Sequence, residues 1–183
     1  LEVMIPMPHV FLMGGGHCGQ AIATLLDQVG WSYSVHDTRP EFASSELYPS
    51  AVALSSKDIE ALLSNESLKS MNRFSDVLLL GHDWSEDQER LLGLLGLFNQ
   101  DGVALDGSTA PRVGVIGSRS KWQAFRAECE GRGLPGTLLD QVICPIGLNI
   151  GAESPEEIAV AVVAQIMSAF KRKDPTEPTW RQD

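Results

Sequence analysis

From His9 to Gly19 the chain reads HVFLMGGGHCG, an apolar strand pattern that runs straight into three consecutive glycines. Gly14, Gly16 and Gly19 have the G-x-G-x-x-G spacing of a dinucleotide-binding turn between a strand and a helix. In such a turn the first glycine permits the tight bend and the second lets a pyrophosphate approach the backbone. The third lets the helix pack close to the strand. The same spacing also suits a turn whose glycines serve packing only.

An acidic residue follows at the distance expected for a nucleotide-binding unit. Asp37 ends the next apolar run, 23 residues after Gly14, where a carboxylate can accept hydrogen bonds from a ribose. Arg39, two residues further on, either meets a phosphate or neutralises Asp37. His17 lies at the start of the predicted helix, whose unpaired N–H groups and dipole favour phosphate. The pattern therefore predicts nucleotide-type binding at this turn.

The composition is that of an ordinary globular domain with an acidic excess. Of the 183 residues, 43% are hydrophobic and 21% charged, and 14 Lys and Arg stand against 24 Asp and Glu, which gives a net charge of −10. The length favours one domain, and the charge argues against a nucleic-acid partner. Three cysteines without zinc spacing favour a reducing, cytoplasmic compartment and no metal centre. Neither a signal peptide nor a membrane span is expected, although the first residue is Leu1 rather than Met.

Strand-like and helix-like segments alternate along the chain. Helices are expected after the glycine turn, over 57–64, over 83–98, from 118 onwards and over 154–170, with 171–183 as a flexible tail. This alternation predicts one Rossmann-type α/β domain over 1–183, with its core at about 9–170. The sheet is expected to be doubly wound and mainly parallel, with helices on both faces. The predicted strands are Val10–Met13, Trp31–His36, Ala51–Leu54, Asp76–Leu80, Val113–Ile116 and Gln141–Cys144.

Five polar loops are expected to meet at one edge of this sheet. Ligands of parallel sheets bind outside the carboxyl ends of the strands. The segments that come after the predicted strands are 14–19, 37–39, 81–83, 117–121 and 145–151, and Gly147 lies in the last of them. Their convergence indicates a binding site more strongly than any one motif does.

Several residues of these loops have two interpretations each. His82 either contacts a ligand or is an exposed loop residue, while Asp83 caps the following helix and can bind as well. Ser118 is the predicted cap of the next helix. Arg119 and Lys121 lie in a first helical turn, where the dipole disfavours cations. These two cations therefore meet either a ligand phosphate or nearby acids such as Asp83.

No residue set demands catalysis. Cys18 lies at a helix N-terminus, where the pKa of a thiol can fall, so it is either a reactive thiol or a small residue tolerated in the turn. No spacing supports a Ser-His-Asp triad or a zinc set. The last helix is expected to pack on the sheet, with a homodimer seam as the alternative.

The five loops, in this order, resemble the C-terminal Rossmann domain of the XdhC/CoxI family, the xanthine dehydrogenase accessory proteins. The resemblance covers about Val10 to Phe170. Its most specific parts are G-S-R-x-K at 117–121 and P-I-G-L-x-I-G-A at 145–152. The other matching segments are Gly14–Gly19, Asp37–Ala43 and Gly81–Asp83.

The resemblance implies an accessory or chaperone protein for the maturation of molybdenum hydroxylases. Members of the family are thought to hold the molybdenum cofactor, support its sulfuration and pass it to the apo-enzyme. The implied partners are a hydroxylase of the xanthine dehydrogenase type and a cysteine desulfurase. The expected ligand is NAD(P) or a related dinucleotide, with the molybdenum cofactor as a further candidate, and no metal is bound directly. Two-domain members carry an N-terminal domain absent from this sequence, and Cys18, Gly81 and Asn149 replace more usual residues.

The residues alone leave two other classes of protein open. One is an NAD(P)-dependent oxidoreductase whose substrate domain is supplied elsewhere, with His82 as its acid–base candidate. The other is a nucleotide-binding sensor subunit that performs no chemistry.

Overall fold

A single parallel sheet organises the computed structural model, which describes residues 6–177. The strand order is β3-β2-β1-β4-β5, and every pairing is parallel. The order reverses between β1 and β4, which is where doubly wound sheets open a crevice for ligands. The predicted Rossmann-type α/β fold is confirmed. The strands are β1 (His9–Met13), β2 (Ser32–His36), β3 (Leu54–Ser55), β4 (Asp76–Leu79) and β5 (Arg112–Val115).

Seven α-helices connect and cover these strands within the described residues. The predicted caps are confirmed: Asp83 and Ser118 accept N–H bonds at two helix starts, and Ser154 forms a capping box with Glu157. A short 3-10 helix, Pro40–Phe42, comes after β2. The helices are α1 (His17–Gln28), α2 (Ile59–Leu63), α3 (Leu68–Met71), α4 (Trp84–Phe98), α5 (Arg119–Gly131), α6 (Gly136–Leu139) and α7 (Pro155–Lys171).

The core forms two apolar layers, one on each face of the sheet. Because successive strand residues point to opposite faces, Val10 and Leu12 of β1 pack with α1 and α7, whereas Phe11 and Met13 pack with α4 and α5. All four of these side chains are buried. The continuous apolar strands are therefore explained by helices on both faces.

The prediction of a sixth strand over Gln141–Cys144 is wrong. Within this segment only Ile143 pairs with the sheet: its N–H donates to the Val113 oxygen and its oxygen accepts the Val115 N–H, both at 2.9 Å. Pro145 comes two residues later, and proline has no N–H with which to extend a ladder. The third strand is also shifted, because Leu54–Ser55 forms in place of Ala51–Leu54.

The last helix agrees with the prediction, whereas the flexibility of the tail stays a prediction. Helix α7 buries Ala159, Val162, Val163 and Ile166 against the sheet and ends at Lys171. The end of the predicted tail, 178–183, lies outside the described residues. Among residues 6–177, none of the helices has both the length and the apolar character needed to cross a membrane. The homodimer seam stays a prediction.

Candidate binding site at the carboxyl edge of the sheet

The glycine turn has the geometry that its spacing predicts. Gly14 has a φ of 129°, which favours glycine, and a Cβ there would lie 2.7 Å from the carbonyl carbon of Leu80. A Cβ on Gly19 would overlap the Gly14 oxygen, so this glycine lets α1 approach the strand. Gly16, by contrast, has no atom within 4 Å of the place a Cβ would take. Its surface is free for a ligand, and its role in binding stays a prediction.

Gly15 makes a contact that sequence reasoning missed. A Cβ at this position would overlap the carbonyl oxygen of Phe42, so the 3-10 helix after β2 rests directly on the glycine turn. Within G-x-G-x-x-G this residue is one of the unspecified positions. No signal in the motif identifies it as a packing site.

Asp37 lies beneath this contact, and the structure gives both of its oxygens partners. Oδ2 accepts the Gly15 N–H at 2.9 Å and Nη2 of Arg39 at 2.9 Å. Oδ1 accepts the Arg39 backbone N–H at 3.0 Å and its Nε at 2.9 Å. The residue is only 1% exposed. Asp37 therefore ties the glycine turn to the end of β2, and a ribose contact, which stays a prediction, requires these bonds to be exchanged.

The environment of Asp37 stabilises its charged form. Burial by itself disfavours the carboxylate, but the hydrogen bonds from Arg39 and Gly15 outweigh that effect and lower the pKa from 3.8 to about 2. Because the folded-state pKa is below the unfolded value, its contribution to stability is present above about pH 4 and is lost as the pH falls towards 2.

Asp37→Asn is expected to remove this pH-dependent contribution. A shift of this size corresponds to about 2 kcal/mol of unfolding free energy at neutral pH. The difference in unfolding free energy between wild type and variant, measured with urea, should be largest near pH 6. It should then shrink steadily from about pH 4 to pH 2.5. A difference that stays constant over this range would contradict the assignment.

His82 and Asp83 come after β4 at the same edge, and both are exposed. Asp83 Oδ1 accepts the N–H groups of Ser85 at 2.8 Å and Glu86 at 3.2 Å, which is the predicted capping role. Bonds from Ser85 and Glu86 lower the pKa of this carboxyl group. The imidazole of His82 is exposed at this edge of the sheet. Its contact with a ligand stays a prediction.

Lys121 is not free at the surface. It is 3% exposed, and its Nζ donates to Oδ2 of Asp87 at 2.8 Å and to the Ile116 oxygen at 3.0 Å. The sequence predicts that Lys121 meets either a ligand phosphate or a nearby acid such as Asp83. The structure pairs it with an acid, and that acid is Asp87. Arg119 is exposed and forms no ion pair with any residue in 6–177. Ser118 caps α5 by accepting the Lys121 N–H.

Asp87 is the centre of a buried ionic network. Its Oδ1 accepts the Gly81 N–H at 3.1 Å and Nη1 of Arg90 at 2.9 Å. Asp87 and Arg90 are fully buried, and Glu86 lies 3.3 Å from Nη2 of Arg90. The network joins the end of β4 to α4 and α5, so it fixes the relative positions of the loops at this edge. Sequence reasoning assigned Asp87 and Arg90 no role, because both lie inside a helix with charges at many positions.

The loop after Ile143 completes the edge. Gly147, with a φ of 114°, donates its N–H to Oε1 of Gln165 on α7 at 2.6 Å. A groove of about 490 Å³ runs between this loop, Cys18 and Gly117. Burial, together with the nearby Glu156, raises the pKa of the Cys18 thiol. That direction favours the interpretation of Cys18 as a small packing residue over a reactive thiolate.

The described residues contain no cluster suited to a metal ion. Across 6–177, no group of three or more His, Cys, Asp or Glu side chains converges on one point. The edge instead offers backbone N–H groups, the open surface of Gly16 and the exposed cation of Arg119. Fold and edge together define a Rossmann-type domain.

The family of this domain is established by a match of residues 10–166 to the model of the XdhC Rossmann domain. The chain belongs to this family. It is 30% identical over 167 residues to a protein of Bacillus subtilis named as a probable subunit of xanthine dehydrogenase, covering 91% of this chain and 44% of that protein. It is 28% identical over 160 residues to the uncharacterized protein YqeB of Escherichia coli, covering 87% of this chain and 27% of that protein.

A solved structure shows the same fold. The crystal structure of a xanthine dehydrogenase from Bacillus halodurans superposes with a TM-score of 0.70 at 24% sequence identity, covering 96% of this chain and 46% of that one. The chain thus spans less than half the length of each of these relatives.

Proposed function

We propose that this chain is the Rossmann domain of an accessory protein for molybdenum hydroxylases of the xanthine dehydrogenase type. The match to the XdhC Rossmann domain over residues 10–166 carries the proposal. The Bacillus subtilis relative, whose name links it to xanthine dehydrogenase, supports the same class of partner. In this role the chain holds the molybdenum cofactor, helps present it for sulfuration and passes it to the apo-enzyme in the cytoplasm.

The residues at the edge fit a phosphate-bearing cofactor. Gly16 offers an open backbone surface at the N-terminus of α1, a 12-residue helix whose N-cap has no side-chain hydrogen bond. A phosphate there would meet unpaired N–H groups and the positive end of the dipole. A cofactor bound here would supply the redox chemistry of the hydroxylase, and these residues would bind and orient it. His17 is exposed beside Gly16, which supports a contact of its imidazole with the same phosphate.

The remaining edge residues have supporting roles in this proposal. Arg119 is an exposed cation that can neutralise a phosphate approaching from the α5 side. Lys121 acts through Asp87, since the ion pair holds the start of α5 against α4. Gly147 is a positioning residue, because its bond to Gln165 fixes the loop that forms the far wall of the groove. A cysteine desulfurase would be the sulfur donor for a cofactor held here.

Co-purification tests this proposal. The immobilised chain is expected to retain the apo form of a xanthine dehydrogenase and to release it when the enzyme has been loaded with cofactor. A dehydrogenase Rossmann domain that lacks the 117–121 and 145–152 segments is the matched control. Equal retention of apo and loaded enzyme, or retention no greater than that of the control, would contradict the proposal.

A further inference from the structure

The groove beside the end of β2 is filled by the chain itself. A Rossmann domain holds the ribose of its adenosine half here, between the glycine turn and the acid after the second strand. In this protein the Phe42 carbonyl oxygen lies against Gly15, and a Cβ at Gly15 would overlap it. Asp37 is 1% exposed, with both oxygens bonded to Gly15 and Arg39. No ribose hydroxyl can reach this carboxylate while these contacts persist.

The segment that fills the groove, Thr38–Tyr48, is anchored along its length. Thr38 donates its hydroxyl to Glu86 of α4. The guanidinium of Arg39 lies 3.9 Å from the centre of the Phe42 ring, so the pair of Asp37 and Arg39 is covered as well. At its far end Tyr48 is 1% exposed and packs edge-on against Tyr33 of β2, with ring centres 6.3 Å apart. These contacts fix the segment Thr38–Tyr48 in place as part of the fold.

The other half of the edge is open. Nothing lies within 4 Å of a Cβ built on Gly16, which is half-buried. On this side the groove of about 490 Å³ is lined by Cys18, Gly117 and Ile146. It lies between the β1–α1 turn and the loops after β5. The space for a ligand is therefore confined to one half of the edge.

We infer that this chain excludes a nucleoside from the position beside Asp37, because its own segment Thr38–Tyr48 occupies that position. The inference goes beyond the proposed function, because it concerns only the half of the edge where a Rossmann domain holds adenosine. A dinucleotide spread over both halves of the edge does not fit.

Titration calorimetry with two probes tests the inference on the wild-type chain. NAD carries an adenosine half that nicotinamide mononucleotide lacks. The ratio of their dissociation constants therefore measures the binding free energy that the adenosine half adds. We expect the two affinities to agree within about threefold, because a nucleoside that makes no contact adds no binding free energy. Absence of measurable binding by both probes agrees with exclusion of the nucleoside. NAD binding about tenfold or more tighter than the mononucleotide would overturn the inference.

Hydrogen exchange of the Gly15 amide gives a second readout that does not depend on affinity. This N–H donates to Asp37 and is buried, so its exchange rate should be the same with and without saturating NAD. A ribose at Asp37 would replace this bond and change the exchange rate about tenfold or more. Such a change would overturn the inference.

The two proposals fail separately. If the chain retains the molybdenum cofactor and apo-enzyme while NAD binds much more tightly than the mononucleotide, only the inference about the filled groove is wrong. If neither cofactor nor apo-enzyme is retained while the two probes bind alike, the accessory function is wrong and the filled groove stands.

Discussion

Replacing Asp87 with Ala is expected to lower the free energy of unfolding by about 3–5 kcal/mol, the range for removing one member of a buried ion pair. The substitution leaves Lys121 without its carboxylate partner and Arg90 with Glu86 alone, although both cations are almost fully buried. It also leaves the Gly81 N–H without its acceptor. Urea unfolding followed by circular dichroism measures the loss.

An exposed ion pair on a neighbouring helix provides the control. Glu128 pairs with Arg132 at 2.8 Å, with side chains 39% and 67% exposed. Solvent screens such a pair, so Glu128→Ala should lower the unfolding free energy by less than about 1 kcal/mol. Equal losses from Asp87→Ala and Glu128→Ala would show that the network at 86–90 does not hold the edge together.

The second large effect is expected from Gly15→Ala. Because the new methyl group would overlap the Phe42 carbonyl oxygen, the 3-10 helix must move and the bond from Gly15 to Asp37 must bend. Overpacking of this kind costs about 1–3 kcal/mol of unfolding free energy, or more where the obstacle is backbone. Urea unfolding at neutral pH measures the cost.

Gly96→Ala is the matched control, and its effect should have the opposite sign. Gly96 lies inside α4, is exposed, and has nothing within 4 Å of a built Cβ. A helix with alanine at an interior position is more stable than the same helix with glycine there, by about 0.5–1 kcal/mol. A Gly15→Ala variant as stable as wild type would mean that the segment after β2 does not rest on the glycine turn.

The fold was predictable because its signals are local and repeated. The β1 pattern, the glycine turn and the caps at Asp83, Ser118 and Ser154 each specify one element. The sixth strand was wrong because the pattern at Gln141–Cys144 is apolar and short. Pairing there depends on the next residue along the chain, Pro145, and the pairing ends after one residue.

The candidate site was predictable in its location but less so in its contacts. Parallel strands bring their carboxyl ends to one edge, so the loops could be placed together from topology alone. Which polar groups pair within that edge depends on distances that a sequence does not encode. The Lys121 pair with Asp87 joins residues 34 positions apart. The Asp37 bond to Gly15 and the contact of Phe42 with the turn are likewise long-range.

Cofactor retention by wild type and two charge-matched variants is the most direct test of the proposed site. Gly16→Glu places a carboxylate on the open surface of the glycine turn, whereas Gly96→Glu places the same charge on an exposed face of α4. Equilibrium dialysis against molybdenum cofactor, with bound pterin measured by fluorescence, should show retention by wild type and Gly96→Glu. Gly16→Glu should bind about tenfold more weakly or worse, since like charges and a blocked backbone both oppose a phosphate. Retention by Gly16→Glu equal to wild type, or no retention by wild type, would contradict a phosphate-bearing cofactor at this turn.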